Sequence, residues 1–303
     1  MRRDWDVIVV GHTFVDYVFT GLPEWPGPGE EVFARELRKE IGGAAITACG
    51  LGRLGHKVAL LSAIGTEDST WMLRQLETSG VDTSLVRLSQ QPTALTVSLS
   101  TTADRALFSH WGAAVELPPL LQEASVRRLL ARAAVIHFGM SLTPDPHQAL
   151  LHELRSEGCL VAVDPGWNKP WLQDPRTQEI LRQTDFYLPN QKEAQLMSGA
   201  SEPREMLRWF DQAGLPCACI KLGAQGSAML RGGKVYEESP VTVSVVDTTG
   251  AGDCFNAGFI HGVLSGAPPQ EWLRVGNICG AFSTRAVGGM AGFPTLQEVR
   301  DAR

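Results

Sequence analysis

Asp253 stands directly behind Gly250-Ala251-Gly252 and ahead of an apolar segment, CFNAGFIHGVL. Glycines let backbone amides converge at the start of a helix, where the dipole favours an anion. A carboxylate in the first turn would then stand beside an anionic reactant as a general base. Asp also favours that position for dipole reasons alone, and glycines punctuate many loops, so the spacing leaves both readings open.

The surrounding stretch, VTVSVVDTTGAGDCFNAGFIHGVL over 241–264, reads as a strand, a tight turn and a helix. Upstream, DVIVVG at 6–11 suits a buried parallel strand. Residues 12–40 alternate around a Pro/Gly-rich turn and predict two exposed antiparallel strands, with 94–100 and 106–110 pairing beside them. Small residues over 43–54 predict a closely packed helix, followed by a strand at 57–62 and a helix at 67–79. From 122 to 222 helices and strands alternate, which predicts a parallel sheet covered on both faces. An antiparallel set over 226–245 precedes the focal helix, and helices near 268–286 and 295–301 follow it. No linker, repeat or low-complexity tract divides the chain, so one domain over 1–303 is expected, with a small lid inserted from 12–40 and 94–111.

With 44% hydrophobic and 20% charged residues, the chain can bury a large core. A net charge of −6 offers no general attraction to nucleic acid or to an anionic membrane, so phosphate binding must be local. The cysteines at 49, 159, 217, 219, 254 and 279 lack paired zinc spacing and read as reduced core thiols. The apolar stretch near the N-terminus is only a strand long, and the expected location is the cytoplasm. Gly50-Leu51-Gly52-Arg53-Leu54-Gly55 fits GxGxxG but has a helix before it and a strand after it, the reverse of a dinucleotide site. No Walker A sequence occurs.

DTTGAGDCFNAGF resembles the C-terminal signature of the ribokinase (PfkB) family of carbohydrate kinases. Four other stretches share that resemblance in the same order: Gly11–Asp16, Ile41-Gly42-Gly43 with Arg53-Leu54-Gly55, Asn190-Gln191-Lys192-Glu193, and Ile220–Gly226. The resemblance implies a ribokinase-like three-layer αβα sandwich with a mainly parallel sheet and a β-lid. It implies Asp253 as base, with the amides of Gly250, Ala251 and Gly252 on the transferring phosphoryl group. Asp16 would hold sugar hydroxyls, with Gly42 and Gly43 bringing amides close to them. Asn190 and Glu193 would organise Mg²⁺ through water, although the same pair would also cap a helix. Lys221, Gly223, Gly226, Thr248 and Asn277 would line the ATP site, and Asp247 and Thr249 match positions that assist a monovalent cation such as K⁺.

Three departures bear on the acceptor: Phe14, Ile46 and Ala114 stand where many members carry Asn. His12, Arg105, His110 and Trp111 would compensate, Arg105 suiting an anionic group and Trp111 a sugar face. The resulting expectation is an ATP-dependent kinase acting on a hydroxyl of a sugar or sugar derivative, dimeric through the edges of its lid. A nucleoside kinase of the same fold, or a sugar- or nucleotide-binding protein without catalysis, remains as an alternative.

Overall fold

Along the strand Trp5–Gly11, Val7 and Val9 point to one hydrophobic cluster while Ile8 and Val10 point to another, all fully buried. A strand apolar on both faces needs cover on both sides. The computed structural model, which describes residues 3–101 and 105–302 and all their side chains except that of Arg105, supplies it with two helical layers. The central sheet has nine strands in the order Lys234–Glu238, Ser227–Arg231, Cys217–Lys221, Phe186–Tyr187, Leu160–Val163, Ala133–Gly139, Trp5–Gly11, Val58–Leu61, Val81–Asp82. Its pairings are parallel except where the first two strands in that order fold antiparallel onto Cys217–Lys221 and onto each other. One layer includes the helices Ala44–Arg53, Ala251–Leu264 and Pro269–Ser283. The other includes Ala124–Leu130 and Pro144–Ser156, and continues under the far end of the sheet with Gln191–Ser198 and Pro203–Gln212. Among the described residues no helix is long and apolar enough to cross a membrane.

A second sheet of four strands, Glu36–Gly43, Thr13–Leu22, Ala94–Thr101 and Arg105–His110, stands beside the sandwich, where the sequence predicts the lid strands. Two antiparallel hairpins form it, joined by parallel pairing of Thr13–Leu22 with Ala94–Thr101. All six cysteines are free and buried. The GxGxxG stretch lies on and just past the end of the helix Ala44–Arg53, where a Cβ at Gly50 would come within 2.8 Å of Ala257 Cβ and one at Gly52 would strike Ser79 O, so these two serve close packing, while Gly55 has φ +89° and turns the chain.

One expected strand is absent. Residues 239–247 carry no regular structure, although VTVSVV is rich in β-branched residues. The strand Lys234–Glu238 already occupies the sheet edge, and the segment turns away, with Val246 N and Asp247 N donating to Thr284 O. Val245 and Val246 are 61% and 58% exposed. Tertiary context overrides β propensity here. The small parallel pair Ala63–Gly65 with Arg87–Ser89 and the short helix Lys169–Gln173 do not figure in the sequence reading.

Candidate active site

The parallel strands deliver their carboxyl ends to the N-terminus of the helix Ala251–Leu264, the edge at which open α/β sheets bind ligands. Asp164 follows the strand Leu160–Val163, Lys221 ends Cys217–Lys221, and Asn190 follows Phe186–Tyr187. Lys221 Nζ donates to Asp164 Oδ2 at 2.6 Å and to Asn256 Oδ1 at 3.3 Å, while Asn256 Nδ2 donates to Asp164 Oδ2 at 2.6 Å. Burial pushes the Asp164 carboxyl up, but the Lys221 charge and the bonds from Lys221 and Asn256 outweigh it, leaving Asp164 below the ordinary carboxylate range. Asp164 and Asn256 are the residues that sequence reasoning missed. A single Asp after VAV looks like any strand end, and Asn256 is three positions past Asp253 inside the recognised motif.

Asp253 lies beside this ion pair. Burial, then the charge of Asp164, raise its pKa to about 7; Lys221 opposes them, and Asp16 and Glu193 add to the rise. A carboxyl balanced near neutrality suits a general base. No side chain caps the helix, so its first-turn amides have no partner from that source, although Ala251 N reaches back to Thr248 O at 3.3 Å. Gly250 has φ +70°, and a Cβ there would come within 2.6 Å of Ile46 Cδ1 and 2.9 Å of Gly289 Cα. Gly252 differs from expectation, since its φ is not positive and its nearest atom to an added Cβ is Lys221 Nζ at 3.6 Å. Neither backbone angle nor protein packing requires glycine at 252. Gly252, Ala251 and Lys221 together line one end of a cavity, where an anion would meet the helix start and the ammonium.

On one side of Asp253 opens a cavity of about 460 Å³ whose lining includes Lys221, Gly223, Gly226, Thr248, Gly252 and Asn277. Val241, Val243, Val245 and Phe255 give it apolar walls. The irregular backbone of 240–245 thus serves as cavity wall. Gly223 and Gly226 have φ of +58° and +85° and make the turn between two strands, while Asn277 Nδ2 donates to Glu238 O at 3.2 Å and Ser239 O at 3.0 Å. Asn190 and Glu193 form a capping box: Asn190 Oδ1 accepts from Glu193 N at 2.9 Å and Glu193 Oε2 from Asn190 N at 2.8 Å. Burial and then Asp164 raise Glu193 to about 7. The nearby Tyr187 hydroxyl is buried without a hydrogen-bond partner. An underneutralised carboxyl beside an orphaned hydroxyl fits a hydrated cation. No group of three or more His, Cys, Asp or Glu side chains able to hold a metal occurs among the described residues, so such an ion would take most of its ligands from water and phosphate.

On the other side lies Asp16, only 9% exposed, its carboxyl folded over Gly42 so closely that any Cβ at 42 would collide with it. Burial, then Glu40 and Asp247, raise Asp16 to about 7. Gly43 has φ +65°, and a Cβ there would strike His12 O and lie 3.0 Å from Phe14 Cδ2. Trp111 meets the His12 ring at 5.1 Å and the Phe14 ring at 6.2 Å. Asp247 Oδ1 accepts from Thr249 N and Oγ1 at 3.0 and 2.8 Å, and Oδ2 accepts from Gly288 N at 2.9 Å. Two substituted Asn positions do not face the acceptor as polar contacts: Ile46 is buried against Gly250 and Gly289, and Ala114 is 1% exposed. His110 ends its strand opposite Leu95 and is exposed, and the side chain of Arg105 lies outside the described residues.

A family profile described as pfkB family carbohydrate kinase matches residues 5–296. The chain belongs to that family. Among curated relatives, the 2-dehydro-3-deoxygluconokinase of Bacillus subtilis is 27% identical over 85% of this chain and 84% of its own length. A nucleoside kinase of Methanocaldococcus jannaschii is 27% identical over 97% of this chain and 95% of its own. Among solved structures, Arabidopsis thaliana ribokinase complexed with ribose and ATP superposes with a TM-score of 0.86 at 21% identity, over 100% of this chain and 99% of that one, and so shares the fold.

Proposed function

We propose that this carbohydrate kinase transfers the γ-phosphoryl group of ATP to a hydroxyl of a sugar or sugar derivative, with Asp253 as the base. The carrying observation is the placement of one carboxyl, balanced near pH 7, between an apolar cavity and a buried carboxylate, at an uncapped helix N-terminus. The adenine and ribose of ATP occupy the cavity near Asn277, Gly223 and Gly226. Its phosphates reach the space over Gly252, where first-turn amides and Lys221 offset negative charge. Asp16 holds acceptor hydroxyls beside Asp253, which takes the proton of the attacking one.

Mg²⁺, held near Asn190 and Glu193 through water, would supply further charge neutralisation, and Asp247 with Thr249 would assist a monovalent cation. The four-stranded sheet acts as a lid that excludes water from the transfer. Leu37, Leu107 and Phe108, each more than half exposed on its outer strands, support pairing of two lids in a cytoplasmic homodimer. Asp253→Asn should lose turnover while binding ATP as the wild type does. Wild-type phosphorylation rates in that variant would refute the assignment, and failure to consume ATP with any polyol would favour a binding protein.

A further inference from the structure

The helix Ala44–Arg53 is held between the central sheet and the helix that carries Asp253. A Cβ at Gly11 would come within 2.6 Å of Ala44 Cβ and 2.8 Å of Gly139 O, so the start of this helix is pressed onto the ends of two central strands. Ala44 N donates to His12 O at 2.9 Å, and Gly43, next to the Gly42 that Asp16 covers, precedes the first turn. One helix thus ties the acceptor side to the sheet.

The same helix seats the turn that presents the base. Ile46 lies against Gly250 and Gly289, where an added Cβ at either would come within 2.6 Å of Ile46 Cδ1, and Cys254 Sγ donates to Gly289 O at 3.1 Å. One helical turn further on, Gly50 meets Ala257. Between these contacts stands Thr47, fully buried, whose Oγ1 donates to the backbone carbonyl of Asp253 at 3.1 Å.

A Thr hydroxyl inside a helix has the carbonyls of its own preceding turn within reach. This one crosses to the neighbouring helix instead. The Asp253 carbonyl already has a place in the helix ladder, with the amide of Ala257 four residues on, so Thr47 gives it a second donor. Packing at Gly50 sets how near the two helices approach, while the Thr47 bond fixes the peptide from which the Asp253 carboxyl projects.

We infer that Thr47 is a positioning residue for phosphoryl transfer, its hydroxyl holding the first turn of Ala251–Leu264 so that the Asp253 carboxyl meets the hydroxyl it deprotonates. This rests on the reading of Asp253 as the base. Misplacement of a reacting group by ~1 Å costs on the order of a hundredfold in rate, and a turn that keeps its packing but loses this anchor shifts by less, for a loss of about tenfold.

Thr47→Val and Thr47→Ser in the full chain separate the bond from the packing. Val keeps the shape of the side chain without its hydroxyl, and the Asp253 carbonyl retains its helical partner, so no buried acceptor is orphaned. Ser keeps the hydroxyl and loses a buried methyl. The readouts are melting temperature and steady-state kinetics with ATP and whichever of ribose, fructose, adenosine and 2-dehydro-3-deoxygluconate the wild type phosphorylates fastest. Thr47→Val should melt within about 2 °C of the wild type and lose about tenfold in kcat with both KM values unchanged, the mark of an interaction made only in the transition state. Thr47→Ser should melt ~3 °C lower yet keep kcat within about twofold. Full kcat in Thr47→Val, or an equal loss of kcat in both variants, would overturn the inference and leave Asp253 as the base. A wild type that binds ATP and phosphorylates none of the acceptors, or undiminished rates in Asp253→Asn, would bring down the kinase reading and the inference with it.

Discussion

Replacing Asp16 by Asn removes a carboxyl that the fold holds in an unfavourable environment. Its pKa rises from the ordinary 3.8 to about 7, mainly through burial. Between those values the unfolded chain releases a proton that the folded chain keeps, so the wild type loses stability as pH rises through that window. At 1.36 kcal/mol per pKa unit, the loss is about 2 kcal/mol at pH 5 and about 4 kcal/mol at pH 8. Asp16→Asn escapes it, so its advantage in unfolding free energy should grow by about 2 kcal/mol from pH 5 to pH 8. Urea unfolding of both proteins at the two pH values measures the change. The same variant should lose acceptor kcat/KM while retaining ATP affinity, because only the acceptor side is touched. A stability difference that is equal at pH 5 and pH 8, or larger at pH 5, would refute the reasoning about how Asp16 is held.

Other perturbations separate roles within the site. Gly252→Ala should fold with unchanged or slightly higher stability, since Ala is favoured by about 1 kcal/mol inside a helix and meets only Lys221 Nζ at 3.6 Å; turnover should fall steeply as the methyl enters the phosphate space, to be checked by calorimetry beside a coupled kinase assay. Lys221→Met leaves Asp164 and Asn256 facing each other without a cation, and unfolding in urea should show a loss of about 3–5 kcal/mol. For the free enzyme, kcat/KM should decline below about pH 7 as Asp253 gains its proton, and a profile flat down to pH 5 would exclude it as the base.

Much of this was legible in local pattern. Asp253 and Gly250 sit in one continuous motif, and alternating apolar runs separated by helical spacing forecast a sheet covered on both faces. Asn190 and Glu193 were legible as a cap, which the structure bears out, and their buried setting leaves room for a further role. What could not be read depends on long-range placement. Asp164 and Asn256 meet Lys221 only because three separate elements end at one edge of the sheet. Ile46 is positioned to read as a lost acceptor contact, yet helix packing turns it beneath Gly250. VTVSVV carries every local mark of a strand, but the sheet edge beside it is taken.

The join between the two hairpins of the small sheet sets an order of assembly. Phe14 pairs in parallel with Ala94, and the intervening chain contains the helices Ala44–Arg53 and Thr66–Thr78 and the strand Val58–Leu61 between them. Closing so long a loop loses chain entropy before the pairing returns anything, so this sheet should zip up only after that first unit has docked on the central sheet. Opening the same join breaks the pairing of Thr13–Leu22 with Ala94–Thr101 and none of the pairings of the nine-stranded sheet. Its backbone amides should therefore exchange with solvent through local openings far sooner than those of Trp5–Gly11, and binding of an acceptor should slow that exchange at Thr13–Leu22 first.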